Sequence, residues 1–412
     1  MFGAVLLFAF SSFAHGVPPQ TLEIMPYPQN ASGVVVSTTF GLLLSKDRCT
    51  YQWICPDQLG FSAREQPVWR VSSSGAIFAG GFSGLFVSRD RGCSFEPVAG
   101  FESTGASTVD EVEGTLWVSS GKFGVTNGVW FSTDDGKRFV PTSLSRTAFF
   151  FNGVKVAPSN PRRVYVSGWY FQPLQRSLFV SDDSGGSFSE VTPTPLPSGN
   201  VFAVHAVDPS NADLVYASVT DDSTVPEKTV LLRSADAGRT FLTVLSAEGR
   251  VSSMVSEGGR FWAAIGDRVY QSGDGLTWQP LPSPKQRACV ARVNGETLVC
   301  GRVIGEDQFA VASVESEVTP LLTWDRISGP IQCPANSTGA MTCAVAWTVE
   351  RAELGLAPDA TPACGTPMEP PMPPKKAGCS AADGLALSLG GFFFFRKRRR
   401  GVSSPRSDEA GP

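Results

Sequence analysis

The chain has 412 residues, 42% hydrophobic and only 17% charged, with 42 glycines and 31 prolines. Low charge with abundant Gly and Pro suits many short strands joined by turns, and argues against long helices. A formal net charge of −4 argues against a general nucleic-acid partner, and two histidines, His15 and His205, leave little for His-based catalysis or a His-rich metal site.

Residues 2–14, FGAVLLFAFSSFA, form an apolar run of the length of a signal-peptide core. Small residues predict cleavage after Ala14 or after Gly16. The run is shorter than the roughly 20 residues a bilayer span needs. No Lys or Arg precedes it, and a buried first strand is the alternative reading. The expected division is a signal peptide over 1–16, a β-domain over 17–356, a Pro-rich linker over 357–378 and a tail over 379–412.

One short pattern then recurs: an apolar strand, Ser-x-Asp, a Gly turn and an aromatic. The copies are SRDRGCSF from Ser88, STDDGKRF from Ser132, SDDSGGSF from Ser181 and SADAGRTF from Ser234. SGDGLTW from Ser272 is a shortened copy and SKDRCTYQW from Ser45 a diverged one. A seventh unit lacks the pattern, but Leu322-Thr323-Trp324 echoes Leu276-Thr277-Trp278. Upstream of the copies, segments 21–38, 152–168 and 201–218 each read as strand, turn, strand. The strands of one unit are A and B, then C entering the pattern and D leaving it.

The repeat resembles the Asp-box, or BNR, repeat of the sialidase-like and photosystem-assembly-factor-like propellers, over about residues 20–330. Periods near 40–50 residues fit one four-stranded blade each, so the expected fold is an all-β propeller of seven four-stranded blades. Each Asp carboxylate can accept backbone N–H groups in the C–D turn, and Gly permits the turn's positive φ. In the family the boxes lie on the rim. Asp47, Asp90, Asp134, Asp183, Asp236 and Asp274 are therefore expected to be structural, one per blade, with no metal site and no cofactor.

Nine cysteines in an exported chain predict disulfides. Cys289 and Cys300 flank an Asn294-Gly295 hairpin in register, which suits a bridge. Cys333 and Cys343 are likewise symmetric about Thr338 and are expected to pair. Cys49, Cys55, Cys93 and Cys364 have no assigned partner, and Cys379 is the odd one. A zinc site is the alternative, without any C-x-x-C to support it.

After the Pro-rich spacer come Cys379, a short apolar run from Leu385 to Phe395 and a basic cluster, Arg396–Arg400. This order resembles the C-terminal sorting signal of myxobacterial surface proteins. The resemblance implies removal of the tail near Cys379 by a sorting protease, and anchoring at the cell surface, with that cysteine the candidate for processing or a lipid anchor. Here Gly401–Pro412 follow the basic cluster, a departure from the family pattern.

In an antiparallel blade the B–C turns lie on the face opposite the boxes. They are tight in blades 2 and 6, near Ser83-Gly84 and Ile265-Gly266, and long in blades 3, 4 and 5, over 121–127, 169–176 and 220–228. Loops on a rigid scaffold often carry function. Trp169, Tyr170 and Phe171 are candidates for stacking on a sugar or a protein, or for folding back over the blade edge. The expected function is non-catalytic binding of a protein or glycan on this face, by an exported protein held at the surface or secreted. A sialidase-like glycoside hydrolase is the first alternative, although no Arg-Ile-Pro-type motif is present. An assembly factor for a membrane complex is the second.

Overall fold

The computed structural model describes residues 18–357, except 62–64, 171–173, 282–288, 302–308 and 316. Phe171, Cys364, Cys379, the signal peptide and the tail thus lie outside the described residues. Seven four-stranded antiparallel sheets follow one another along the chain as the blades of a propeller. Their residues are 21–54, 68–97, 108–147, 149–191, 201–248, 251–280 and 290–322.

Burial along each strand follows its place in the blade. The second and third strands of blade 1, Val34–Thr38 and Gly41–Ser45, are buried at every residue because neighbouring blades cover both faces. The first strands line the central channel on one side and alternate instead, as in Val201–Val207, where His205 is only half-buried. The apolar core is therefore a series of layers between consecutive blades. Trp117 of blade 3 joins Phe149, Phe151 and Phe179 of blade 4 in one such layer, and Ile24 and Trp53 of blade 1 join Leu298 and Leu322 of blade 7 in another.

The chain does not stop at blade 7. Ile327–Pro330 crosses back and pairs in parallel with Tyr51–Ile54, the outermost strand of blade 1. A helix, α1 (Thr338–Glu353), follows. Its first turn is capped by the Ser337 hydroxyl, which accepts the Ala340 N–H at 3.1 Å. Trp347 packs on Trp53 with ring centroids 5.3 Å apart.

Disulfides fix this strap to the start of the chain. Cys343 bonds Cys55 and Cys333 bonds Cys93. The expected Cys333–Cys343 bridge is thus corrected, because Thr338 starts a helix and not a hairpin, so the two cysteines never face each other. Cys289–Cys300 forms as expected, on the hairpin of Val290–Val293 and Glu296–Cys300. Cys49 is also disulfide-bonded. Such bridges belong to an oxidising compartment. Among the described residues no helix is long and apolar enough to cross a membrane.

Candidate functional site

The repeated Ser-x-Asp turns share one construction. Asp183 accepts the Ser187 N–H at 2.8 Å and the Ser187 and Ser181 hydroxyls at 2.7 and 2.8 Å. Asp236 does the same with Thr240 and Ser234, and Asp274 accepts the Leu276 and Thr277 N–H groups, both at 2.8 Å. Asp47, Asp90 and Asp134 also take backbone N–H groups of their own turns. These bonds hold all six carboxyls below the usual range, with Asp183, Asp236 and Asp274 at about 2.

The residue after the Asp is left-handed as well as the Gly that follows, as in Ser184 (φ 59°) and Gly185 (φ 86°). The Gly also has a second task. A Cβ on Gly185 would lie 2.7 Å from the Trp117 ring of the preceding blade, and one on Gly136 would lie 2.5 Å from Phe78. Each turn thereby presses on its predecessor. The returning aromatics sit at the same joints, Phe139 against Phe78 and Trp278 against Tyr216. Among the described residues no group of His, Cys, Asp and Glu could hold a metal.

The opposite face is different. Its four consecutive B–C turns each lift an apolar side chain into solvent: Phe82 (63% exposed), Phe123 (79%), Leu174 (48%) and Val225 (100%). The turns themselves are held firmly. Asn127 accepts the Lys122 N–H and donates to the Lys122 and Phe149 carbonyls, all at 2.9 Å. Lys122 Nζ reaches the Phe82 carbonyl of the neighbouring blade at 3.0 Å. Arg250 grips the blade 5 turn through Glu227 at 2.8 Å and Asp222 at 3.1 Å.

In blade 4 the loop expected over 169–176 is largely hairpin, since strands Asn160–Tyr170 and Gln175–Ser181 pair almost to the tip. Trp169 is half-buried and stacks on Phe150 at 5.7 Å and 21°. Phe123 continues the row, 6.2 Å from Phe150. Tyr170 turns inward, edge-on to the buried Phe149 at 4.8 Å. Phe123, Leu174 and Val225 lie in the three long loops expected from sequence without having been singled out there, and Phe82 lies beside a turn expected to be tight. Their only signal was an apolar residue at a turn tip.

A second concavity, about 440 Å³, lies in the central channel. Five consecutive blades each send one side chain into it from the innermost strand: Glu23, Arg70, Asp110, Lys155 and His205. Arg70 lies 3.8 Å from Glu23 and 3.4 Å from Asp110, and Lys155 lies 2.8 Å from Asp110. Burial pushes the Asp110 carboxyl up, but Lys155 and Arg70 pull it down to a net value below the usual range. Burial, with a smaller contribution from Lys155, pushes His205 down to about 3, so its ring is neutral. Asp110, between two cations, is held ionised.

No family model matches the chain, and no curated protein matches it. Solved structures do. The extracellular domain of BT4673 from B. thetaiotaomicron aligns with a TM-score of 0.51 at 12% identity, covering 72% of this chain and 38% of that one. An ancestral GH74 enzyme aligns at 0.41 and 14%, covering 72% and 36%. A chain of the Mitotic Checkpoint Complex aligns at 0.47 and 13%, covering 73% and 96%. This chain therefore spans little more than a third of the first two. At such identities the likeness establishes the fold alone: a seven-bladed β-propeller.

Proposed function

We propose that the protein is an exported, non-catalytic binding propeller that docks a protein partner on the B–C face. The observation that carries this reading is the arc of exposed Phe82, Phe123, Leu174 and Val225 across four consecutive blades. Exposed apolar groups on a rigid surface are characteristic of protein recognition. A glycan is a weaker fit, because Leu174 and Val225 offer no ring to a sugar and the near-parallel Phe150 and Trp169 cover one another.

Photo-crosslinking on intact cells tests this. A crosslinker at position 123 or 225 should give discrete protein adducts, and one at Arg91 or Lys137 on the opposite face should give none. Equal labelling from both faces would refute the docking surface. Binding to a glycan array that is lost in Trp169→Ala would transfer the site to a glycan. Surface anchoring through the tail belongs to the same proposal, and mass spectrometry of surface material should show loss of the residues after about Cys379. An intact Pro412 terminus would refute it.

A further inference from the structure

The central channel has a separate chemistry that the docking surface does not use. Its ion pairs satisfy one another's charge, Glu23, Asp110 and Glu257 against Arg70, Lys155 and Arg292, yet they do not fill the space beside them. Glu23, Arg70, Asp110 and Lys155 retain side-chain exposures of 36, 24, 20 and 33%, and all four line the cavity. Arg70 is pinned from behind by its Nε, which donates to the Val109 carbonyl at 3.1 Å. Lys155 spends one ammonium hydrogen on Asp110. His205 is oriented through Nε2, bonded to the Ser218 hydroxyl at 2.8 Å, and Nδ1 has no partner among the described residues. The wall formed by Val251–Glu257 adds serine hydroxyls from Ser252 and Ser256.

Such a lining excludes most ligand classes. An anion or a cation would meet no uncompensated charge, and would have to break an existing pair to find one. An apolar ligand would bury these polar groups without partners. What remains is a neutral molecule whose groups each donate and accept. Adjacent hydroxyls do this, giving a hydrogen to Glu23 or Asp110 and taking one from Arg70 or Lys155 as charge-assisted bonds. The neutral imidazole and the Ser256 hydroxyl can serve in either sense, while Ser252, whose hydroxyl donates to the Ala264 carbonyl at 3.3 Å, is left as an acceptor.

We propose that the channel is a binding site for a neutral polyhydroxylated molecule of monosaccharide size, held between the Glu23–Arg70–Asp110–Lys155 network and His205. The proposal is independent of the protein-docking face.

The test is an NMR titration of the full chain that follows its imidazole resonances, with four neutral probes, D-glucose, D-galactose, D-mannose and myo-inositol, at up to about 20 mM, since a single small sugar binds in the millimolar range. D-glucuronate and D-glucosamine are the charged controls. At least one neutral probe should saturate and shift the imidazole resonance of His205, with both charged sugars about tenfold weaker or more. Removing charge from the network risks unfolding, so the variant is His205→Phe, which leaves every ion pair in place and fills part of the cavity. It should lower affinity at least tenfold with an unchanged melting temperature. If His205→Phe itself unfolds the chain, the His205 resonance in the unmodified protein decides. The proposal is overturned if no neutral probe saturates, if a charged sugar binds tighter, or if saturation leaves the His205 resonance unmoved.

Discussion

Removing one strap disulfide should cost less than its span suggests. Cys93 and Cys333 are 240 residues apart. Treated alone, a loop that long would be worth about 5.5 kcal/mol of unfolded-state entropy. The Cys55–Cys343 bridge already brings both regions together, however. With it in place, the second bridge closes only the 55–93 and 333–343 segments, roughly 50 residues, worth about 4 kcal/mol. The variant carrying Cys93→Ala and Cys333→Ala should lose about that much. A variant lacking Cys289–Cys300, a span of 11 residues, should lose about 3 kcal/mol. Urea unfolding followed by tryptophan fluorescence, without reductant, measures both. A loss near 5.5 kcal/mol would show that the two bridges do not share one closure, and a loss below about 1 kcal/mol would refute the ring-closure account altogether.

Three further outcomes follow from the same geometry. Asp183, Asp236 and Asp274 titrate near 2 when folded, against about 3.9 in an unfolded chain, so the stability they contribute is complete above about pH 4 and is lost as pH falls towards 2; the triple Asp→Asn variant should be less stable at pH 7 and show a flatter acid limb in urea titrations. Gly185→Ala should cost about 2–3 kcal/mol, combining a left-handed alanine with a contact on Trp117, and a melting temperature within a degree or so of the parent would refute the joint. Arg250→Ala removes two exposed ion pairs, so melting should hardly change while amide exchange across 222–227 accelerates; unchanged exchange would show that Arg250 does not hold the Val225 turn.

The sequence made the blades legible because each is local. The Ser-x-Asp copies sit at the C–D turn of six blades, and the strands on either side follow within a few residues. The Cys289–Cys300 bridge was legible for the same reason, as it spans one hairpin. The strap was not. Its strand pairs with Tyr51–Ile54 and its cysteines find Cys55 and Cys93, partners more than 200 residues away that no local symmetry identifies. The apparent symmetry about Thr338 was coincidental, while Ser337 followed by an Ala-rich stretch was the overlooked helix signal. At the candidate site, loop length pointed to the face that carries the exposed apolar side chains, but to residues that pack within their own blade. Trp169 and Tyr170 find aromatic neighbours inside blade 4, and the tips of tight or well-braced turns carry the exposure.

The turn glycines have a consequence for how such a ring is put together. Blades 2 to 6 each bring their own fitting for the blade before, so any of them joins its predecessor by the same part. Blade 7 has no such turn, and a cleft of about 480 Å³ lies beside Trp262 and Arg292 where it meets blade 6. Against its other neighbour, blade 1, it packs directly, and the strap adds a paired strand and two disulfides. The ring is thus modular for most of its circumference and bespoke at one place. New chain ends opened between blades 3 and 4 would leave that place untouched, whereas ends moved to the strap would discard the only covalent lock the ring has among its described bridges.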